Sequence, residues 1–201
     1  MPDAAQTSYE TRRSPRRVFD TVVIGAGPAG TQCALYLGQS GADVLLAGGE
    51  QPAARLVAMP RAPGWATSGS SDEVSLRIAT ENVANLASSR VNVAYAFVRS
   101  VAREEGMFTL EMADQQRYRA RTVVFATGHA DGDPLGGIDA AGLDLDMAED
   151  GRIDVDDKGG TSHSGIYAVG DAASGCMKNV SCAMGTGSRT ARELLRKLRA
   201  G

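Results

Sequence analysis

Apolar residues gather in short runs at 19–24, 43–47, 91–94, 122–126 and 165–169. Runs of this length, rich in Val and Ile, predict strands buried on both faces, as in a parallel sheet. Three stretches, two between these runs and one after the last, carry helical spacing. Residues 28–40 place Cys33, Leu35 and Leu37 among small residues, and Gly41 follows as a helix stop. Residues 71–89 repeat Leu76, Ala79, Val83 and Leu86 on one face, and Ser70 with Glu73 fits a capping box. Residues 180–198 place Ala191, Leu194, Leu195 and Leu198 on one face. A period of two marks 96–103, 107–112 and 116–121, with turns at 104–106 and 113–115, which predicts an antiparallel meander with one covered face. Residues 129–150, rich in Gly, Asp and Ala, read as a crossover with one short helical turn. Residues 152–155 and 161–163 are expected to pair as a small hairpin around 156–160. Residues 51–70 contain Pro52, Pro60, Pro63 and the chain's one Trp, Trp65; the loop either covers the core edge or lies along a ligand. The expected class is α/β: a parallel sheet with a three-stranded antiparallel meander, one domain over 18–201 after a tail at 1–17.

Composition changes this picture little. The chain has 201 residues, 22% of them charged, and a net charge of −3. That balance gives no reason to expect nucleic acid or an anionic membrane as partner. No apolar run is long enough to span a bilayer, and the first residues lack the apolar core of a secretory signal. Three cysteines do not make a disulfide scaffold, so a cytoplasmic, reducing compartment is expected. Arg12, Arg13, Arg16 and Arg17 make the tail basic, which reads as a solvated arm or as a docking arm for an acidic partner.

Candidate chemistry begins where the first strand ends. Residues 22–30 read VVIGAGPAG, a G-x-G-x-x-G fingerprint between a strand and a helix. Gly25 allows the tight turn, Gly27 lets a pyrophosphate approach the backbone, and Gly30 lets helix pack on strand. The N–H groups and positive dipole end of that helix would face the phosphates. An acid that binds ribose is expected about 20 residues further on. Glu50 lies at that distance, two glycines beyond the second strand, and reads as a ribose ligand or a solvated carboxylate. Two more strands end in special residues, A-T-G at 126–128 and G-D at 170–171. A Rossmann-like parallel sheet would collect all three at one edge, where such folds bind ligands.

At these residues the chain resembles the low-molecular-weight thioredoxin reductase group of FAD-dependent pyridine nucleotide-disulfide oxidoreductases. The resemblance rests on VVIGAGPAG, LLAGGE at 45–50, VVFATG at 123–128 and GIYAVGDAASGCMKNVSCAMGTG at 165–187. It implies FAD. Gly25, Ala26, Gly27, Pro28, Ala29 and Gly30 would hold the pyrophosphate, and Gly48, Gly49 and Glu50 would meet the adenosine half. Thr127 and Gly128 would pass near the cofactor. Gly170 and Asp171 would meet the ribityl chain, with Asp171 as acceptor. Lys178, Asn179 and Val180 would lie against the isoalloxazine ring, where a helix start favours negative charge on the reduced flavin. A homodimer is likewise implied by the resemblance alone.

The departures are as informative. The family inserts a second domain between the A-T-G and G-D strands, carrying an NADPH fingerprint and a C-x-x-C pair. Here residues 129–165 contain neither a second fingerprint nor a cysteine. Cys33, mid-helix, reads as a small core residue. Cys176 and Cys182 flank the expected flavin segment and read either as a redox pair or as small residues filling tight space. His129 reads as a proton donor to the flavin or as a solvated loop residue, and His163 as a surface residue. The leading expectation is a single-domain FAD-dependent oxidoreductase that draws electrons from a separate reductase, a thiol or diffusing NAD(P)H. The alternative is a non-catalytic flavin-binding subunit or redox sensor.

Overall fold

The first apolar run forms strand β1, Val18–Ile24, with Val22 and Val23 fully buried on opposite faces. The computed structural model describes residues 17–49, 85–86, 88–129 and 132–200. The tail at 1–16, Glu50, the loop with Trp65 and most of the helix expected over 71–89 lie outside the described residues. Asn85, Leu86 and Ser88 are helical, and Leu86 is buried.

Helix α1, Pro28–Gln39, starts with Pro at its first position, where a missing N–H costs nothing. It ends before Gly41, whose φ of +96° suits glycine and stops the helix as expected. Strands β2 (Val44–Ala47) and β3 (Val91–Ala94) follow, each parallel to its neighbour. Strands β4 (Val98–Glu104) and β5 (Met107–Met112) form an antiparallel hairpin. Its two-residue turn puts Glu105 at φ 50° and Gly106 at φ 78°, the left-handed pair that a tight hairpin turn requires.

One expectation needs correcting. The stretches at 116–121 and 122–126 are a single strand, β6, Arg117–Phe125. β1 lies along one edge of it, from Arg119 to Phe125. The other edge is shared: β5 pairs antiparallel with Arg117–Ala120, and β7 (Ile166–Ala168) pairs parallel with Val123–Phe125. β6 therefore belongs to the meander in its first half and to the parallel sheet in its second. The parallel strands lie in the order β3-β2-β1-β6-β7.

The short helical turn in the crossover is a 3-10 turn at Ala141–Leu143. The hairpin expected at 152–163 does not form. Asp156–Gly160 is a tight turn, with the Asp156 carboxylate accepting from the N–H groups of Lys158 and Gly160. The flanking residues pair elsewhere: Gly160 bridges to Tyr167 of β7, and Ile153 bridges to Ala173 beyond it. Helix α2, Val180–Ala200, closes the described chain.

The central parallel strands are buried on both faces. Val23, Val44, Leu46 and Val124 pack beneath α1 and α2 with Leu37, Ala191 and Leu194. Val22, Leu45, Val123 and Phe125 pack on the opposite face with Phe108 and Leu110 of the meander and Leu143 and Ile153 of the crossover. This alternation follows from the strand period of two when both faces are covered.

Candidate functional site

Because β1, β2, β3, β6 and β7 run parallel, their carboxyl ends share one edge. The chain winds outward from β1 to β3 and then returns to the other side of β1 at β6. The order reverses between β1 and β6, which is where open α/β sheets form a ligand crevice. All three motif-bearing strand ends gather there as expected.

The fingerprint glycines divide into two kinds. A Cβ on Gly25 would stand 2.3 Å from the Ala126 carbonyl oxygen, and one on Gly30 would stand 1.9 Å from the Gly25 carbonyl oxygen. Those two positions are closed by the protein itself. Gly27 differs: a Cβ there would meet nothing within 4 Å. Its backbone is extended, at φ −76° and ψ −173°, so the opening is spatial rather than conformational. Gly27 is the N-cap of α1, and no side chain caps this helix. The first N–H groups of a helix have no partner inside it, and here they face the opening at Gly27. An anion is the partner that such an end accepts.

The neighbouring strand ends close around this loop. Gly48 lies against Ala26, where a Cβ would stand 2.4 Å from the Ala26 methyl. Gly49, buried, lies against the ring of Phe97, itself 64% exposed. The Thr127 hydroxyl donates to the Pro134 carbonyl, holding the A-T-G turn to its own crossover, and Gly128 follows at φ 80°. Among the described residues, one buried side-chain polar atom lacks a hydrogen-bond partner: Nδ1 of His129, directly after this turn. A buried unpaired nitrogen carries a desolvation cost, which a bound ligand's polar group would offset.

Gly170 and Asp171 open a 3-10 turn, Gly170–Ala172, directly after β7. Gly170 faces the Ala29 methyl on the first turn of α1. Its N–H donates to the Thr186 hydroxyl of α2 at 2.9 Å, and that hydroxyl donates to the Ala183 carbonyl at 2.8 Å. Gly187, one residue on, crosses α1 so closely that a Cβ would stand 2.4 Å from the Ala29 carbonyl oxygen. Thr186 and Gly187 thus fix the G-D turn and α1 to one another. Sequence reasoning did not single them out, although their small size at the start of a helix was visible.

Lys178 is exposed, Asn179 half-buried and Val180 buried. Asn179 caps α2, its side-chain oxygen accepting from the Cys182 N–H at 2.7 Å. Beside it, Cys176 is buried and Cys182 half-buried, both as free thiols. Burial, and then Cys182 and the Asp171 charge, push Cys176 up to about 12, against the pull of Arg152. Arg152 also holds this segment directly, Nη1 donating to the Cys176 carbonyl at 2.6 Å and the Ala173 carbonyl at 3.4 Å. No sequence pattern marked Arg152. Cys33 is fully buried in α1 and pushed up to about 12 by burial, as a core residue would be. His163 lies away from the edge, bonded to Arg103 and edge-on to Phe108. Among the described residues no group of side chains could hold a metal ion, and no helix is long and apolar enough to cross a membrane.

Residues 19–146 and 98–187 match the family described as pyridine nucleotide-disulphide oxidoreductase. No curated protein matches the chain. Several solved structures share the fold. A thioredoxin reductase from Gloeobacter violaceus is 18% identical, with a TM-score of 0.71 over 90% of this chain and 95% of that one. A ferredoxin-flavin thioredoxin reductase from Clostridium acetobutylicum is 16% identical, with a TM-score of 0.74 over 92% of this chain and 100% of that one. A thioredoxin reductase from T. acidophilum is 16% identical, with a TM-score of 0.71 over 92% of this chain and 100% of that one.

Proposed function

This chain belongs to the pyridine nucleotide-disulphide oxidoreductase family, and from that premise we propose that it is a single-domain FAD-dependent oxidoreductase whose electrons come from outside its own fold. The observation that carries this reading is the open position at Gly27, set at an uncapped helix start and ringed by the ends of four parallel strands. Pyrophosphate fits that position by size and by charge. Gly25, Ala26, Gly27, Ala29 and Gly30 would hold it, with Gly48 and Gly49 on the adenosine side. Asp171 would accept from the ribityl chain, and the start of α2 at Asn179 and Val180 would flank the ring. Bound FAD supplies reversible two-electron chemistry. The chain's own part is to orient the cofactor, to place a helix N-terminus where negative charge develops, and to hold a proton near it at His129.

The absence of a second strand–glycine–helix fingerprint between Gly128 and Ile166 supports an external electron source. So does the name of one similar structure, a ferredoxin-flavin thioredoxin reductase. The donor would be a separate reductase, a thiol or diffusing NAD(P)H, and a homodimer and a cytoplasmic setting belong to the same reading. The test is the visible spectrum of protein supplied with FAD, followed anaerobically with NADPH, NADH, a dithiol and reduced ferredoxin in turn. Bound flavin that one of these bleaches supports the proposal. Protein that takes up no FAD overturns it. Flavin that binds and that no donor reduces points instead to a non-catalytic flavin-binding subunit.

A further inference from the structure

We infer that Phe97 is the base platform of this site: its ring, seated on Gly49, stacks against the base of a bound nucleotide and sets a preference for adenine. It rests on the proposed dinucleotide reading, and it assigns a residue that lies outside the stretches carrying the family resemblance. The place that Gly49 was expected to offer an adenosine is already taken. Gly49 is buried, and a Cβ there would stand 2.7 Å from Cε1 and 2.8 Å from Cζ of the Phe97 ring. A group approaching Gly49 from that side meets the ring instead. The seat is also built. Gly49 sits at φ +69°, a left-handed conformation that glycine adopts without strain, and a larger residue would push the ring off. The Phe97 carbonyl accepts from the Ala113 N–H at 2.7 Å, which fixes the backbone that carries the ring.

The ring is 64% exposed despite this seat, so most of its surface is free to meet a flat partner. It also stands in line with the anion position. Ala26, beside Gly27, lies against Gly48; the Gly48 N–H donates to the Ala94 carbonyl at 3.2 Å; and Gly49 lies against Phe97. This run crosses from the end of β1 past β2 to the end of β3, two strand spacings or roughly 10 Å. A nucleotide whose phosphate meets the start of α1 carries its base away from that phosphate across a ribose, toward the ring. Every base has a π-face that an aromatic side chain can stack on, and the larger face of a purine gains more from the contact than a pyrimidine does.

The test titrates the full chain, stripped of bound nucleotide, with ADP, UDP and FAD by calorimetry. ADP and UDP share the pyrophosphate and differ in the base. The unmodified chain should bind ADP more tightly than UDP. Phe97→Leu keeps an apolar side chain on Gly49 and removes the ring, so ADP and FAD affinity should each fall about fivefold or more, with a smaller loss for UDP. Phe97→Trp, which restores a stacking face, should recover ADP affinity. Unchanged ADP affinity in Phe97→Leu overturns the inference, and so does tighter binding, which would make the ring a plug. A loss shared equally by ADP and UDP overturns it as well, because the ring then does not read the base. FAD uptake with affinity indifferent to Phe97 overturns this inference and leaves the flavin reading intact. ADP binding without FAD uptake overturns the flavin reading, and the ADP and UDP titrations then decide the platform alone. A chain that binds none of the three overturns both.

Discussion

Gly27→Ala separates the ligand from the fold. The backbone at Gly27 is extended and open to any residue, and the added methyl meets no protein atom within 4 Å. Replacing glycine by alanine at a compatible position stabilises by roughly 0.4–1 kcal/mol through the unfolded chain. Alanine is a poorer N-cap than glycine, a loss of roughly 0.5 kcal/mol. The two effects offset, so the ligand-free variant should unfold within about 0.5 kcal/mol of the parent in urea. Binding should respond very differently. The methyl fills the space in which a phosphate oxygen would meet the start of α1. Each charge-assisted bond lost there is worth roughly 1.5–3 kcal/mol, and every 1.4 kcal/mol or so is about tenfold in affinity. FAD affinity, measured by quenching of flavin fluorescence on titration, should fall at least about tenfold. Unchanged affinity would refute a pyrophosphate at this position. A stability loss above about 1.5 kcal/mol would show that the glycine serves the fold instead.

The other substitutions probe the frame around that opening. Gly187→Ala drives a methyl to 2.4 Å from the Ala29 carbonyl oxygen, so thermal unfolding should show a loss of roughly 1–3 kcal/mol, as overpacking does; an unchanged melting temperature would mean that the two helices separate freely. Arg152→Met leaves the Ala173 and Cys176 carbonyls unpaired and should lower urea stability by roughly 1–3 kcal/mol, a loss that stability equal to the parent's would rule out. Glu193 is hydrogen-bonded to Arg196, and that bond, with the charges of Arg196, Lys158 and Lys197, holds its carboxyl down to about 2 from 4.5 against the opposing effect of burial. A carboxyl depressed on folding adds stability that is full above its unfolded pKa and is lost as pH falls through the folded one. The melting-temperature gap between the parent and Glu193→Gln should therefore persist at neutral pH and close between about 4.5 and 2; a gap constant with pH would refute the linkage.

What the sequence made legible was what local pattern can carry. Val22, Val23 and Leu45 announced buried strands because both neighbours of each strand are parallel and both faces are covered. β6 read as two strands because its pattern changes midway. Arg117, Arg119 and Arg121 alternate with more covered residues while one face is open to solvent, and then Val123–Phe125 is fully buried beside β7. A change of partner along one edge produces that change of pattern, and the residues themselves do not name the partner. The hairpin expected at 152–163 failed for the same reason. Its turn is local and held by Asp156, but Gly160 and Ile153 find their partners at Tyr167 and Ala173.

The same distinction holds within the candidate site. Gly25 and Gly30 look alike in sequence to Gly27, yet the first two are closed by Ala126 and by the loop itself, and only the third opens outward. A motif therefore names the loop, and packing names the atom that is free to meet a ligand. Around that atom, the supports come from far along the chain. Thr186 ties Gly170 to α2, Gly187 brings α2 onto Ala29, and Arg152 reaches across the crossover to the segment that opens α2. Thr186, Gly187 and Arg152 are expected to bind no cofactor atom, but they set the distance between the helix start at Gly27 and the helix start at Val180. A ligand spanning the two helix starts, as the proposed dinucleotide would, needs that distance fixed before it arrives, because ordering it on binding would subtract from affinity.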